Sequence, residues 1–285
     1  MGDSENLVRT INSSAAAVAF KGTTIVSAAG NDSTIKVWDV NTGECKKTLN
    51  GHTRFLRAVA FDGTTIVSGS EDKTVKVWDV HTGECKKTLT GHTYPVTSVA
   101  FDGATIVSGS WDFKIKVWDM HTGECKKTLT GHTRSVQSVA FDGSTIVSGS
   151  SDNTIKVWDV HTGECKKTLT GHTDRVWSVA FDGATIVSGS DDERIKVWDM
   201  HTGECKKTLT GHTRGVTSVA FDGATIVSGS DDTKIKVWDM HTGECKKTLK
   251  GHTYTVTSVA VQGSTIVSGS KYNGTIKVWE IEELR

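Results

Sequence analysis

Thr74-Val75-Lys76-Val77-Trp78-Asp79-Val80 decides the fold. Val75 and Val77 point to one side and Lys76 and Trp78 to the other, the two-residue period of a β-strand. The stretch recurs with a spacing of 40 residues, inside a unit that opens with Gly-His-Thr at Gly51, Gly91, Gly131, Gly171, Gly211 and Gly251. Three more segments of the Gly51 unit read as strands: Leu56 to Phe61, Thr64 to Ser68 around the β-branched pair Ile66-Val67, and the polar Cys85 to Leu89, suited to an outer edge. Asp62-Gly63 supplies a tight turn, Thr82-Gly83 a second, and Gly69 to Lys73 a third. No stretch has helical periodicity. Each unit is therefore expected to be a four-stranded antiparallel meander, too small to bury a core alone and stable only when stacked on its neighbours.

Composition narrows the function. Lys plus Arg (33) equals Asp plus Glu (33), so no global field steers the protein to nucleic acid or an anionic membrane, and both are disfavoured as partners. The apolar runs span only a few residues, and the polar start Met1 to Thr10 lacks the apolar stretch of a signal peptide. Cys45, Cys85, Cys125, Cys165, Cys205 and Cys245 occupy one place in successive units. Sheets pack about 10 Å apart, beyond the roughly 7 Å Cα limit for a disulfide, so equivalent cysteines cannot pair within one molecule. Free thiols without an export signal place the expected setting in the cytoplasm.

The closing Trp-Asp, or Trp-Glu at Trp279, recurs at Trp38, Trp78, Trp118, Trp158, Trp198, Trp238 and Trp279, with a preceding Gly-His in most units. On these residues the chain resembles the WD-repeat (WD40-type) β-propeller family over nearly its whole length. The resemblance implies an all-β, seven-bladed propeller of four-stranded blades around a central channel. The expected organisation is one propeller over 1–285: a closing strand at 5–11, then blades near 15–49, 55–89, 95–129, 135–169, 175–209, 215–249 and 255–281. The last blade runs out after its third strand, and Leu7 to Ile11 sits ahead of the first blade with no blade of its own. This N-terminal strand is expected to complete the last blade and close the ring, leaving no open edge. A monomeric ring is expected.

His52, Ser68 and Asp72 recur together in five units and superficially match a nucleophilic triad. Five copies of one nucleophile make little sense, and nothing supplies a distinct oxyanion hole. The family resemblance implies a structural network instead, in which Asp accepts from His, His meets Ser and Ser meets the Trp indole. Blade 1 lacks the Gly-His, and in blade 7 the Asp position falls within the longer Lys271-Tyr272-Asn273-Gly274, so the seam is the expected weak point of the ring. The second series, His81, His121, His161, His201 and His241, lies in separate turns, too widely spaced to share one metal ion. No catalytic residue, metal site or cofactor is expected.

Variation between copies crowds into two windows, after Gly-His-Thr and around the Asp that follows Ser-Gly-Ser. In an antiparallel blade both emerge on the same face. Every Tyr of the chain and six of its eight arginines lie there, with Trp111, Trp177, Phe55, Phe113 and the single proline, Pro95. Unconstrained drift at exposed turns favours Ser, Asn, Asp, Gly and Lys, whereas Tyr, Trp and Arg are the residues of binding hot spots. The expected partner-binding residues are Arg54, Phe55, Arg57, Glu71, Tyr94, Trp111, Phe113, Arg134, Gln137, Arg175, Trp177, Asp191, Arg214, Tyr254 and Tyr272. The strongest patch is expected on blades 2 to 5, because blade 1 offers only Ser14 and Ala16. The expected function is a scaffold or recognition module for a peptide or protein. Alternatives are an engineered or recently amplified repeat propeller without a dedicated partner, and the substrate-receptor propeller of a ubiquitin ligase.

Overall fold

The structure, a computed structural model, describes residues 6–272 and 274–281. Glu5 of the expected closing strand and Asn273 of the blade 7 turn lie outside the described residues. Seven four-stranded antiparallel sheets form the molecule. In six of them the strands follow chain order, as in Leu56–Phe61, Thr65–Ser70, Val75–Asp79 and Cys85–Leu89. The seventh takes Ser258–Gln262, Thr265–Ser270 and Thr275–Glu280 from the end of the chain and Leu7–Ile11 from its beginning. Leu7–Ile11 runs antiparallel to Thr275–Glu280, with Leu7 opposite Trp279 and Ile11 opposite Ile276. First strands touch first strands from blade to blade, including the seventh to the first, so the ring closes.

The core lies between blades, because the strand pattern buries both faces of each sheet. Val67, Val75, Val77 and Leu89 of one blade pack on Val96, Ile106 and Trp118 of the next, and the same grouping repeats around the ring. Close packing also dictates the Gly of each Ser-Gly-Ser. A Cβ at Gly109 would stand 2.7 Å from Val136 Cγ1 of the following blade. Polar staples add register to this apolar contact. The Val139 amide donates to Ser98 Oγ at 3.0 Å, and Ser138, Ser178, Ser218 and Ser258 accept from the next blade in the same way.

The seam carries substitutes for the repeated contacts. Ile11, Ala15, Val18, Ile25 and Trp38 pack against Val267, Ile276 and Val278. Arg9 donates to the carbonyls of Thr42, at 2.9 Å, and Asn41. In the complete blades the turn after Trp-Asp is held by its carboxylate, as where Asp79 Oδ1 accepts the His81 and Thr82 amides at 2.8 and 2.9 Å. The His81 series thus occupies these exposed turns. Blade 7 has Glu280 at this position, and the longer side chain reaches back to Ser264 and Thr265 instead.

Candidate recognition face at the channel mouth

A buried polar network supports the mouth of the channel. In blade 2, Trp78 Nε1 donates to Ser68 Oγ at 2.9 Å, Ser68 meets His52 Nε2 at 2.8 Å, and His52 Nδ1 meets Asp72 Oδ2 at 2.7 Å. With the indole donating to the Ser oxygen, the hydroxyl proton points at Nε2 and the Nδ1 proton at the carboxylate. The serine is fully buried and has both partners engaged. Four other blades repeat the geometry through His92, His132, His172 and His212. Burial alone raises the Asp72 carboxyl, but donation from His52 and Thr74 outweighs it and holds the group below its usual range. Asp232 is held at about 2 by the same balance, with His212 the leading donor. Asp72 also accepts the Thr53 amide at 3.1 Å and the Thr74 amide at 3.0 Å, so each network clips the two variable windows together.

Backbone bonds complete the clip. The Glu71 amide donates to the Phe55 carbonyl at 2.9 Å, and Trp111 to Pro95, Ser151 to Ser135, Asp191 to Arg175 and Asp231 to Gly215 repeat it. Ser70 Oγ reaches the Arg54 carbonyl at 3.0 Å, with equivalents beneath Tyr94, Arg134 and Arg214. The loops are pinned by their backbones while their side chains project.

A bulge aims the next set of side chains. In five first strands the pairing skips one residue, at Arg57, Thr97, Gln137, Trp177 and Thr217. A bulge leaves its extra residue outside the ladder and redirects it. These five, with Ala16 and Thr257 of the remaining blades, line a cavity of about 410 Å³ to which each blade thus contributes the residue at this repeat position. Leu56, Asp231, Thr255, Lys271 and Tyr272 complete the wall.

The sequence-predicted residues fall into groups here. Arg57 donates to Glu71 at 2.6 Å and lies over the Trp111 ring, 4.3 Å from its centroid, so its charge is already matched. Gln137 donates to Ser151 at 2.8 Å. Trp177 sits beside Asp191, and Asp191 is held above the usual carboxylate range. Burial is the chief cause; the Trp177 indole opposes it, nearby Asp174 and Asp231 reinforce it, and Arg175 partly offsets them. Phe55 and Tyr272 flank the Lys271 ammonium at 5.4 and 5.9 Å. Tyr94, Phe113, Arg134 and Tyr254 are exposed on the loops outside the cavity wall, as are Arg54, Arg175 and Arg214.

Sequence reasoning missed two features. Thr97, Thr217 and Thr257 line the cavity yet act as staples: Thr97 Oγ1 lies 2.6 Å from the Val136 carbonyl of the next blade, which takes its one proton, and 3.0 Å from the Gly109 carbonyl, Thr217 repeats the arrangement, and Thr257 reaches Ala15. Three threonines at one repeat position were the available signal. Lys271 was also passed over. Its stem lies against Gly30, where a Cβ would be 2.8 Å from Lys271 Cγ, and so it crosses the bare rim of blade 1 toward Phe55.

The crest of each second-to-third-strand loop is left-handed, with φ of 70° at Lys73 and Phe113, 68° at Glu193 and 70° at Thr233. Gly274 holds this conformation in blade 7, at φ 62°. A bulky L-residue there costs about 1–2 kcal/mol. Phe113→Gly is therefore expected to raise stability by about 1 kcal/mol, measured by urea unfolding. A neutral or destabilising result means that the exposed ring makes contacts worth more than its strain.

Seven four-stranded blades closed into a ring define the class: a β-propeller. Comparison with known proteins makes this specific. The family described as WD domain, G-beta repeat matches residues 6–39, 43–79, 83–119, 123–159, 163–199, 203–239 and 243–280. The chain belongs to the WD40 repeat family. Each match begins at or near an outer strand and ends with the third strand of the next blade, and the first takes in the strand that closes the ring. Among curated proteins, "Nuclear distribution protein PAC1-2" of Uncinocarpus reesii (strain UAMH 1704) is 44% identical over 66 residues, 22% of this chain and 14% of that protein. "Nuclear distribution protein PAC1" of Coccidioides posadasii (strain C735) is 41% identical over 70 residues, 24% of this chain and 15% of that protein. The aligned region thus spans about one-seventh of the length of these relatives. Among solved structures, the crystal structure of the computationally designed Ika8 protein superposes with a TM-score of 0.79 at 34% identity, covering 96% of this chain and 98% of that one.

Proposed function

We propose that residues 1–285 act as one recognition module that holds a peptide or protein loop across the channel mouth. Propellers of this family generally serve as non-enzymatic interaction scaffolds. The observation that carries the proposal is the cavity wall itself. The same repeat position from every blade meets there, redirected by a bulge in five of them, and the copies that are not threonine staples or the small Ala16 are Arg57, Gln137 and Trp177. Phe55, Tyr94, Trp111, Phe113, Arg134, Arg175, Asp191, Arg214, Tyr254 and Tyr272 extend the surface, and Arg54 and Glu71 border it. The wall draws on blades 6 and 7 as well as blades 2 to 5. The exposed free thiols support a reducing, cytoplasmic setting.

A pull-down comparing the native chain with the Arg57→Ala, Trp111→Ala, Trp177→Ala triple variant tests the proposal, after both are shown to fold equally. A partner of the native chain is expected to bind the variant at least about tenfold more weakly, as loss of a hot spot gives. Equal capture by both proteins rules the mouth out.

A second reading has one observation in its favour. The similarity to a designed propeller, at 34% identity over 96% of the chain, and the near-identity of the repeats both fit an engineered or recently amplified scaffold without a dedicated partner. Absence of any specific partner for either protein in the same experiment favours that reading.

A further inference from the structure

The charges around the mouth are unevenly satisfied. The position held by Glu71 in blade 2 is occupied around the ring by Gly30, Trp111, Ser151, Asp191, Asp231 and Lys271. Glu71 is neutralised by Arg57 at 2.6 Å. Among the described residues, the side-chain donor to Asp231 is a neutral hydroxyl, Thr255 Oγ1 at 2.8 Å. Neither Asp191 nor Asp231 forms an ion pair among the described residues. The two carboxylates converge on Gly215, whose Cα carries no side chain to separate them. A Cβ there would lie 2.6 Å from Asp191 Oδ1 and 3.5 Å from Asp231 Oδ2. Trp177, which hydrogen-bonds Asp191, shares the cavity wall with Asp231, and Lys271 lines that cavity too, held against Phe55 and Tyr272. The mouth is therefore bipolar, with an acidic pair that forms no ion pair among the described residues next to an aromatic face, and a lysine elsewhere on the wall.

We propose that the mouth receives the guanidinium or ammonium of one Arg or Lys side chain of a partner polypeptide, placed between Asp191 and Asp231 with its stem against Trp177. This inference rests on the recognition role proposed above and specifies the chemistry of that site. Two carboxylates sharing a partly buried place repel each other, and an incoming cation relieves that repulsion while bonding to both. The indole adds apolar contact with the stem and attraction to the charge. A cavity of about 410 Å³ admits one extended side chain rather than a folded element. Lys271 disfavours a second cation on the same wall, so a segment that is basic throughout fits less well than one carrying a single basic residue.

Selection of random linear peptides displayed on phage against the full chain tests this. Enriched sequences are expected to share one Arg or Lys at a fixed position. Synthetic peptides of those sequences are expected to bind the Asp191→Asn, Asp231→Asn variant on the order of tenfold or more weakly, the loss that follows removal of one partner of a close charge pair. The amide oxygens of Asn can still accept from Trp177 and Thr255, so the variant is expected to keep the native circular dichroism. A single Asp231→Lys change is expected to move the preference at the fixed position toward Asp or Glu. Enriched peptides that lose binding to the Arg57/Trp111/Trp177 triple variant, yet carry no fixed basic residue or ignore the Asn substitutions, overturn the cation site and leave the recognition role standing. Failure to enrich any sequence that needs the mouth overturns both.

Discussion

Trp158→Ala is expected to cost about 3–5 kcal/mol of unfolding free energy, among the largest losses any single substitution in this chain produces. Trp158 is 2% exposed and packs into the interface between blades 3 and 4 with Val107, Ile115, Val136 and Ile146. Truncation opens a large void there, and the rigid strands on either side can close it only in part. The indole also donates to Ser148 Oγ at 2.9 Å, and that hydroxyl meets His132, which in turn meets Asp152. Alanine leaves the network one donor short in a buried place, which adds to the packing loss. Trp38→Ala is the informative comparison. Trp38 donates to Ser27 at 2.9 Å, but blade 1 has no histidine to extend the network. Its loss is expected to be smaller by about 1 kcal/mol, the worth of an additional polar contact. Urea unfolding of the two variants reads the difference. A loss at Trp158 no greater than that at Trp38 means the network adds nothing to packing.

Much of this architecture is written locally. The alternation in Thr74 to Val80 needs only a two-residue period to place Val75 and Val77 together, and the repeat then multiplies one strand into a ring. The polar network of Trp, Ser, His and Asp was legible through the family resemblance, which implied the pairing that five blades then show. Closure by Leu7–Ile11 followed from counting strands at the two ends. The cavity was legible in part. Arg57, Gln137 and Trp177 stood out because they break the repeat, while Thr97 and Thr217 did not, although the same bulge turns all five inward. A bulge is a defect in strand pairing and leaves no pattern in a single strand. Lys271 was hidden for a different reason. Its position depends on the missing side chain of Gly30 in another blade, distant in sequence and adjacent only once the ring has closed. The left-handed crest at Phe113 was unreadable because five other blades place Ser, Lys, Asn, Glu and Thr there, none of which announces a positive φ as glycine does.

His252 is expected to make the stability of the protein fall by about 3 kcal/mol as pH drops from 6.5 to 4. Its ring is 5% exposed and meets Ser268 through Nε2 at 2.8 Å, as in the other blades. Nδ1 lies 3.2 Å from Thr275 Oγ1. Burial is the main force on this imidazole, and the nearby Lys277 ammonium works in the same direction, so the folded pKa is pushed down to about 4 from 6.5. In that interval the unfolded chain takes up a proton that the folded chain refuses. The unfolded state binds more protons, and stability therefore falls with falling pH until both states are protonated. The tetrad aspartates act in a separate window. Their folded values lie below 3.8, with Asp232 at about 2, so their contribution is complete above 3.8 and is lost only in stronger acid. Thermal unfolding of the native chain and of His252→Gln between pH 7 and pH 4 separates the two effects. The native curve is expected to fall through this range and the variant to stay flatter, while both fail together below it. The loss should also be local at first. His252 sits in the blade that the N-terminal strand completes, so hydrogen exchange at pH 5 is expected to accelerate in Thr265–Ser270 and Thr275–Glu280 before it does in blades 3 to 5. Parallel pH curves for the two proteins, or exchange that quickens evenly around the ring, rule out a proton-linked seam.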